Sequence, residues 1–451
     1  MPILGLTGFG GGVAGAAAPP LTLSQFWFGS GSDGSFSATG GTVTLATHPT
    51  PVAPGGACAS LRVASLSSTS ITTVNPNSNK FAVGDRIMLY QWHTNSPNAP
   101  KSGNYSIHTI ASIPNSTTIN IGGGLGGQPF QPVYPGTDTI TTANYVTGTA
   151  PFPSTSETRC YVVRMAQFTT FSMPGGPVTA TSDTGDNCGV IAILASTSAV
   201  INGGTLTALG FGKSGGLGAP SSGSPSSPNC GGKGDSYDGT FNYSGQPAYP
   251  GSGNQPAYGI GGGGGNHQPG SRSGGGGGGA AYNSGFEGGQ DNSGARGLGG
   301  VFIPSPLRDI PGSNKLFAGG GGGGGSDTVG TPGGKGGGII LLFSPTITIS
   351  SGSITARGAE TPTFSGSGTD SGGGGGGGHI ILRGQTVSLG TNLVTAKGGD
   401  QGGSYSPAGW GGAGGGGCVS VYAPSITGSL TNTSVESQSQ NPVYYNSPFT
   451  V

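Results

Sequence analysis

Residues 336–360 read GGGIILLFSPTITISSGSITARGAE, and residues 376–400 read GGGHIILRGQTVSLGTNLVTAKGGD. The two stretches align without a gap at an offset of 40. Ile340 matches Ile380, Leu342 matches Leu382, and Ile347 matches Val387; Ile349, Ile354 and Ala356 match Leu389, Val394 and Ala396. An earlier copy begins near Cys188 (VIAILASTSAVINGGTLTALG) and lines up at an offset of 148, and a partial last copy begins at Cys418 (CVSVYAPSITGSL). Self-similarity at a fixed spacing is the mark of stacked supersecondary units. The β-branched, alternating character of each unit makes those units two or three short strands.

Between copies the chain makes excursions of variable length, about 211–335, 361–371 and 401–413, and returns through glycine. One hundred of the 451 residues are glycine, with runs at Gly261–Gly265, Gly274–Gly279, Gly319–Gly325, Gly372–Gly378 and Gly414–Gly417. Each glycine costs roughly 0.5–1 kcal/mol relative to alanine in a regular element, so ordinary helix or strand is excluded there. Two readings remain. The runs are flexible linkers, or bare backbones pack side by side as extended three-fold helices, with lateral bonds of about 0.5–1.5 kcal/mol each offsetting the entropy. Register favours packing. Gly336–Gly338 and Gly376–Gly378 hold the same repeat position directly before an apolar strand, and a linker has no need to keep register.

The reading is therefore an all-β protein with essentially no α-helix: an N-terminal sandwich or barrel-like domain, then a β-solenoid-like region with packed polyglycine-II helices. Residues 1–60 form an assembly or docking segment, with Phe26-Trp27-Phe28 followed by the turn sequence Gly31-Ser32-Asp33-Gly34. Residues 61–175 form a small β domain whose strands include 81–90, 105–110, 117–121 and 161–165. Residues 176–430 form the repeat domain, with strand repeats near 188–210, 336–360, 376–400 and 418–430, and residues 431–451 form a tail.

Lys and Arg total 16, Asp and Glu total 16, and charged residues are 7% of the chain, against about 25% in ordinary domains. No basic footprint for nucleic acid is present. No run of about 18 apolar residues exists, so membrane insertion is not expected. The first Lys or Arg is Arg62, so the apolar N-terminus lacks the positive region of a secretory signal. The dispersed Cys58, Cys160, Cys188, Cys230 and Cys418 match no metal spacing and read as buried thiols, with one or two incidental bridges left open.

Chemistry is sparse. Gly212-Lys213-Ser214 resembles the end of a phosphate loop, but the required earlier glycine is Thr207, and the motif is rejected. The acidic pairs Asp183/Asp186 and Asp235/Asp238 could serve glycoside hydrolysis or calcium, but turn-forming Asp accounts for both. No metal or other cofactor is expected. His379 takes the position of Ile339 and reads as a strand-edge residue; His48, His93, His108 and His267 do not cluster with it. The excursions are rich in aromatics: Tyr237, Phe241, Tyr243, Tyr249, Tyr258, Tyr282 and Phe286, then Tyr405 and Trp410. Rings on a rigid scaffold are efficient binding groups; the alternative is that they pack against the glycine helices.

The glycine runs Gly319–Gly325 and Gly372–Gly378, each leading to an apolar strand, with variable loops between them, resemble the glycine-rich tail fibres and receptor-binding adhesins of tailed bacteriophages. The resemblance covers roughly residues 188–425. It implies a non-enzymatic virion-surface protein with a polyglycine-II sandwich. Its loops would contact a host cell-surface glycan or protein, with other virion proteins and further copies of the chain as partners. A bacterial extracellular filament, sheath or matrix subunit is the alternative, and a glycan depolymerase the third reading.

Overall fold

The computed structural model describes residues 28–77, 79–94, 101–122, 140, 142–147, 158–181, 188–218, 234, 262, 276, 278–280, 283–288, 297–300, 315–326, 330–361, 371–401, 410–430 and 441–445. The protein is all-β. Every regular element named here is a strand except one 3-10 turn, Thr142–Asn144.

The first strands are short: β1 (Phe36–Ser37) and β2 (Val43–Thr44). Longer strands follow: β3 (Ser60–Leu66), β4 (Ser70–Thr73), β5 (Arg86–His93), β6 (Tyr105–Asn115), β7 (Thr118–Ile121) and β8 (Arg159–Met173). Antiparallel pairing runs β8–β3–β4–β7–β6–β5, and β5 pairs again with β8. The sheet closes on itself, so of the two sequence options, sandwich or barrel, the structure is a barrel. Closure leaves no open edge. Leu61, Val63, Ile71, Ile87, Leu89, Ile110, Ile119 and Val162 fill one of its cores. The expected strand 81–90 is shorter than its apolar run, because Ala82–Asp85 form a turn in which the Asp85 amide donates to the Ala82 carbonyl.

β8 then changes partners. Its second half pairs in parallel with β10 (Val190–Ile201), and β1 pairs with its end. From there the copies stack in order. β9 (Val178–Thr179) and β11 (Thr205–Thr207) precede β12 (Ile339–Phe343), β13 (Thr346–Ile349) and β14 (Ser353–Thr355). β15 (His379–Arg383), β16 (Thr386–Thr391) and β17 (Val394–Thr395) follow, then β18 (Cys418–Tyr422), β19 (Ser425–Ser429) and β20 (Asn441–Tyr445). The offset of 40 is the physical register: Ile340 lies beside Ile380, Ile347 beside Val387, and Ile354 beside Val394. Inward side chains of all copies share one core that includes Ile193, Leu206, Leu342, Ile354, Leu382, Val394 and Val421.

The earlier copy departs from its single offset of 148. Val190 pairs with Ile339 but Ala199 pairs with Ile347, because β10 carries one additional residue after Leu194. β8 and β10 are themselves out of step between Ala195 and Ser198. His379 is also corrected: β15 lies between β12 and β18, and the residue is fully buried rather than at an edge. Burial pushes its imidazole down to about 3, which keeps it neutral beside the Ser420 hydroxyl at 3.2 Å. The stretch 28–60 lies inside the fold as its first tier, with β1 on β8 and β2 on β9.

A buried ion cluster joins that tier to the barrel. Arg164 donates to both oxygens of Asp33 at 2.8 Å, to Asp85 at 2.6 and 2.8 Å, and to the Ala57 carbonyl. Asp33 also accepts from the Thr50 hydroxyl and the Gln167 amide. Burial alone would lower the Arg164 pKa, yet the two carboxylates hold it above its ordinary value. The described cysteines Cys58, Cys160, Cys188 and Cys418 are buried thiols with no disulfide among them. Burial pushes Cys58 up to about 11 while it donates to the Ala192 carbonyl.

Candidate functional site: the glycine lattice and its far end

The glycine tracts form a hydrogen-bonded lattice, and its period is three. In the tract 371–378, Gly373 and Gly376 donate to Gly323 and Gly320; Gly374 and Gly377 donate to Gly412 and Gly415; Gly375 and Gly378 donate to Ala359 and Ala356. These bonds run from 2.7 to 3.0 Å. Carbonyls of the same tract accept from Gly334 and Gly337, from Gly276 and Gly279, and from Gly399. Successive residues thus address three directions in turn, as a three-fold extended helix must. The tract is ringed by six others, carrying Gly320, Gly412, Ala359, Gly334, Gly276 and Gly399. Every residue from 371 to 378 and from 316 to 326 is buried. Packing, not linker behaviour, accounts for these runs.

Close approach explains why glycine is required. A Cβ built on Gly375 would fall on the Lys335 carbonyl oxygen, and one built on Gly322 on that of Gly373. Alanine is admitted at other lattice positions, buried at Ala280, Ala318, Ala356 and Ala396 and half-buried at Ala413.

Each turn of the strand stack feeds this lattice twice. Chain leaves β14 through 356–361 and returns through 371–378 to β15; it leaves β17 through 396–401 and returns through 410–417 to β18. The returning tracts are parallel to one another (Gly337 to Gly376, Gly377 to Gly415), and the outgoing ones are antiparallel to them (Gly417 to Ala396). One end of the lattice therefore merges with the strands at Gly338, Gly378 and Gly417. At the other end lie the flanks of segments 289–296, 327–329, 362–370 and 402–409, because Gly288 bonds to Gly297, Gly325 to Thr331 and Gly276 to Ser371.

The barrel seats the strand-side end. Lys213, rejected as a phosphate ligand, is buried there: its ammonium donates to the Trp92 carbonyl at 2.8 Å and lies 4.5 Å from the Trp92 ring centroid. The Tyr90 hydroxyl donates to the Leu316 carbonyl at 2.9 Å, and the Lys315 ammonium to the Ser102 carbonyl at 3.0 Å. The Leu316 amide donates to the Gly103 carbonyl. Two lattice tracts, 211–218 and 316–326, are thereby pinned to β5 and the loop before β6. Sequence reasoning missed this seat. The signal was available in one form only: a lysine within a glycine tract of an almost uncharged chain.

Of the nine aromatic candidates, Phe286 and Trp410 are described. Both face solvent, 39% and 42% exposed, whereas Trp92 is 1% exposed. They sit on adjacent lattice tracts, joined where the Phe286 amide donates to the Ala413 carbonyl at 2.8 Å. Tyr237, Phe241, Tyr243, Tyr249, Tyr258, Tyr282 and Tyr405 lie outside the described residues, as do Asp183/Asp186 and Asp235/Asp238. Among the described residues, no group of three or more His, Cys, Asp or Glu side chains could hold a metal ion. No helix among them is long and apolar enough to cross a membrane. On the lattice surface Arg357 reaches Glu360 at 3.5 Å and Asp400 at 3.4 Å, contacts worth about 0–1 kcal/mol when exposed, and Lys335 and Glu287 are also exposed. No family model, curated protein or solved structure matches the chain.

Proposed function

We propose that this chain is a non-enzymatic attachment protein of a bacteriophage particle, a tail-fibre or virion-surface subunit that holds host-binding loops on a rigid glycine scaffold. The observation that carries this reading is the convergence of several excursions on one end of the lattice. Gly288 and Gly297, Ser326 and Gly330, Thr361 and Ser371, and Gln401 and Trp410 bracket four separate segments at that end. A lattice whose every turn returns to the same face displays variable sequence without moving its base, and exposed loops on a rigid scaffold are where binding groups concentrate. Its partners would be a host cell-surface glycan or protein at the loop end, and further virion proteins or copies of the chain elsewhere.

The test is adsorption. Replacing Tyr237, Phe241, Tyr243, Tyr249 and Tyr258 by Ser should abolish attachment of particles to host cells while particle assembly continues. Unchanged adsorption together with unchanged assembly would defeat the assignment. A second reading, an extracellular filament subunit, is favoured by β17 and β19, each paired on one side only among the described strands. Polymerisation of the purified chain into long fibres would support that alternative.

A further inference from the structure

We infer that Phe286 and Trp410 form a two-ring platform for the apolar faces of a neutral oligosaccharide, an inference that rests on the attachment reading and names the class of ligand. Phe286 and Trp410 are the exposed large aromatics among the described residues. Phe286 lies on a hydrogen-bonded lattice tract, and Trp410 opens the tract that Gly412 and Gly414 bond into the lattice. Phe286 bonds to Ala413, and Trp410 precedes Ala413 by three residues, one turn of the three-fold helix. At 3.1 Å per residue the two backbones are offset by about 9 Å along the lattice axis. That offset suits successive sugar rings on one chain better than a single small ligand.

The surroundings match the same chemistry. Asn283, half-buried and one turn of the three-fold helix before Phe286, brings an amide to the same side of that tract, while Ser284 and Glu287 are exposed on its other sides. Sugars present C–H faces to rings and hydroxyls to such groups. The chain has no net charge and few charged residues, so this face has little with which to select a charged ligand by complementarity. An anchored flat ring loses little conformational freedom on binding, the same property that makes aromatic side chains effective in paratopes.

The test uses the full chain and a panel of neutral linear oligosaccharides of two to six units built from glucose, galactose or N-acetylglucosamine. The chain has three tryptophans, Trp27, Trp92 and Trp410, so the contribution of Trp410 is read as the difference between the parent and Trp410→Phe. The expected result is a shift of tryptophan fluorescence with at least one sugar series that is absent in Trp410→Phe. Binding, followed calorimetrically, should weaken about tenfold or more in Trp410→Ala and in Phe286→Ala, and partly recover in Trp410→Phe. Saccharide binding that is unaffected by either substitution would overturn the platform. So would a complete absence of saccharide binding in a chain that still adheres to host cells through a protease-sensitive receptor; the ligand would then be a protein, and the attachment reading would survive. Failure of the chain to adhere to cells at all would instead remove the attachment reading.

Discussion

Gly375→Ala separates the packed lattice from a flexible tether by the sign of its effect. In the lattice the added methyl would fall on the Lys335 carbonyl oxygen, which already accepts the Ala359 amide at 2.7 Å. The tract 330–338 must then move away from 371–378, straining the Gly334–Gly373 and Gly337–Gly376 bonds, both 2.8 Å. Two net hydrogen bonds at about 0.5–1.5 kcal/mol each, plus about 1–3 kcal/mol for overpacking, give a loss of about 2–6 kcal/mol. In a tether the same substitution would be neutral, because no neighbour would meet the methyl. Gly40→Ala is the internal control: nothing lies within 4 Å of a Cβ there. It should be neutral, or stabilise by about 0.4–1 kcal/mol through the unfolded chain. Urea unfolding reads the difference, with Gly375→Ala losing roughly 1 M or more in midpoint at a slope of about 1–3 kcal/mol/M. Amide exchange of residues 371–378 in the parent protein should be slow. Identical midpoints for the two variants, or unprotected amides across 371–378, would refute the lattice.

Three further outcomes follow from the same structure. Arg164→Met should cost about 3–5 kcal/mol, because it leaves Asp33 and Asp85 buried without their cation, and the triple replacement of all three by apolar residues should recover most of that loss in denaturant midpoint. Lys213→Met should cost about 1–3 kcal/mol by orphaning the Trp92 carbonyl and should raise amide exchange first at 211–218, measured by mass spectrometry. His379→Ile, which installs the residue found at Ile339, should remove an acid sensitivity. With a folded pKa near 3 against 6.5 unfolded, the unfolded chain binds more protons in that window, so stability is full above 6.5 and falls as pH drops towards 3. The parent should lose midpoint across that range, and the variant should lose markedly less.

The parts of this fold that were legible in the sequence are those in which one short stretch dictates its neighbour by repetition. The offset of 40 became strand register because Ile340, Ile347 and Ile354 need the same inward positions as Ile380, Val387 and Val394, and a slip of one residue would turn each of them outward. The glycine runs were legible for a related reason: their burial has no other use for seven consecutive residues without side chains. What stayed hidden depends on encounters across long sequence separations. Asp33 sits in a turn sequence that explains itself locally, and only the approach of Arg164, 131 residues away, makes it the anchor of the first tier. Lys213 looks like a fragment of a phosphate loop until Trp92, 121 residues earlier, receives it. Closure of the barrel rests on β5 meeting β8, which no periodicity announces. The candidate site divides along the same line. Aromatic enrichment in the excursions could be read directly, but that Phe286 and Trp410 lie on neighbouring tracts requires the antiparallel bond between Phe286 and Ala413. A chain with so few charges puts its specificity into where backbones meet, and such meetings are written in the register of tracts rather than in motifs.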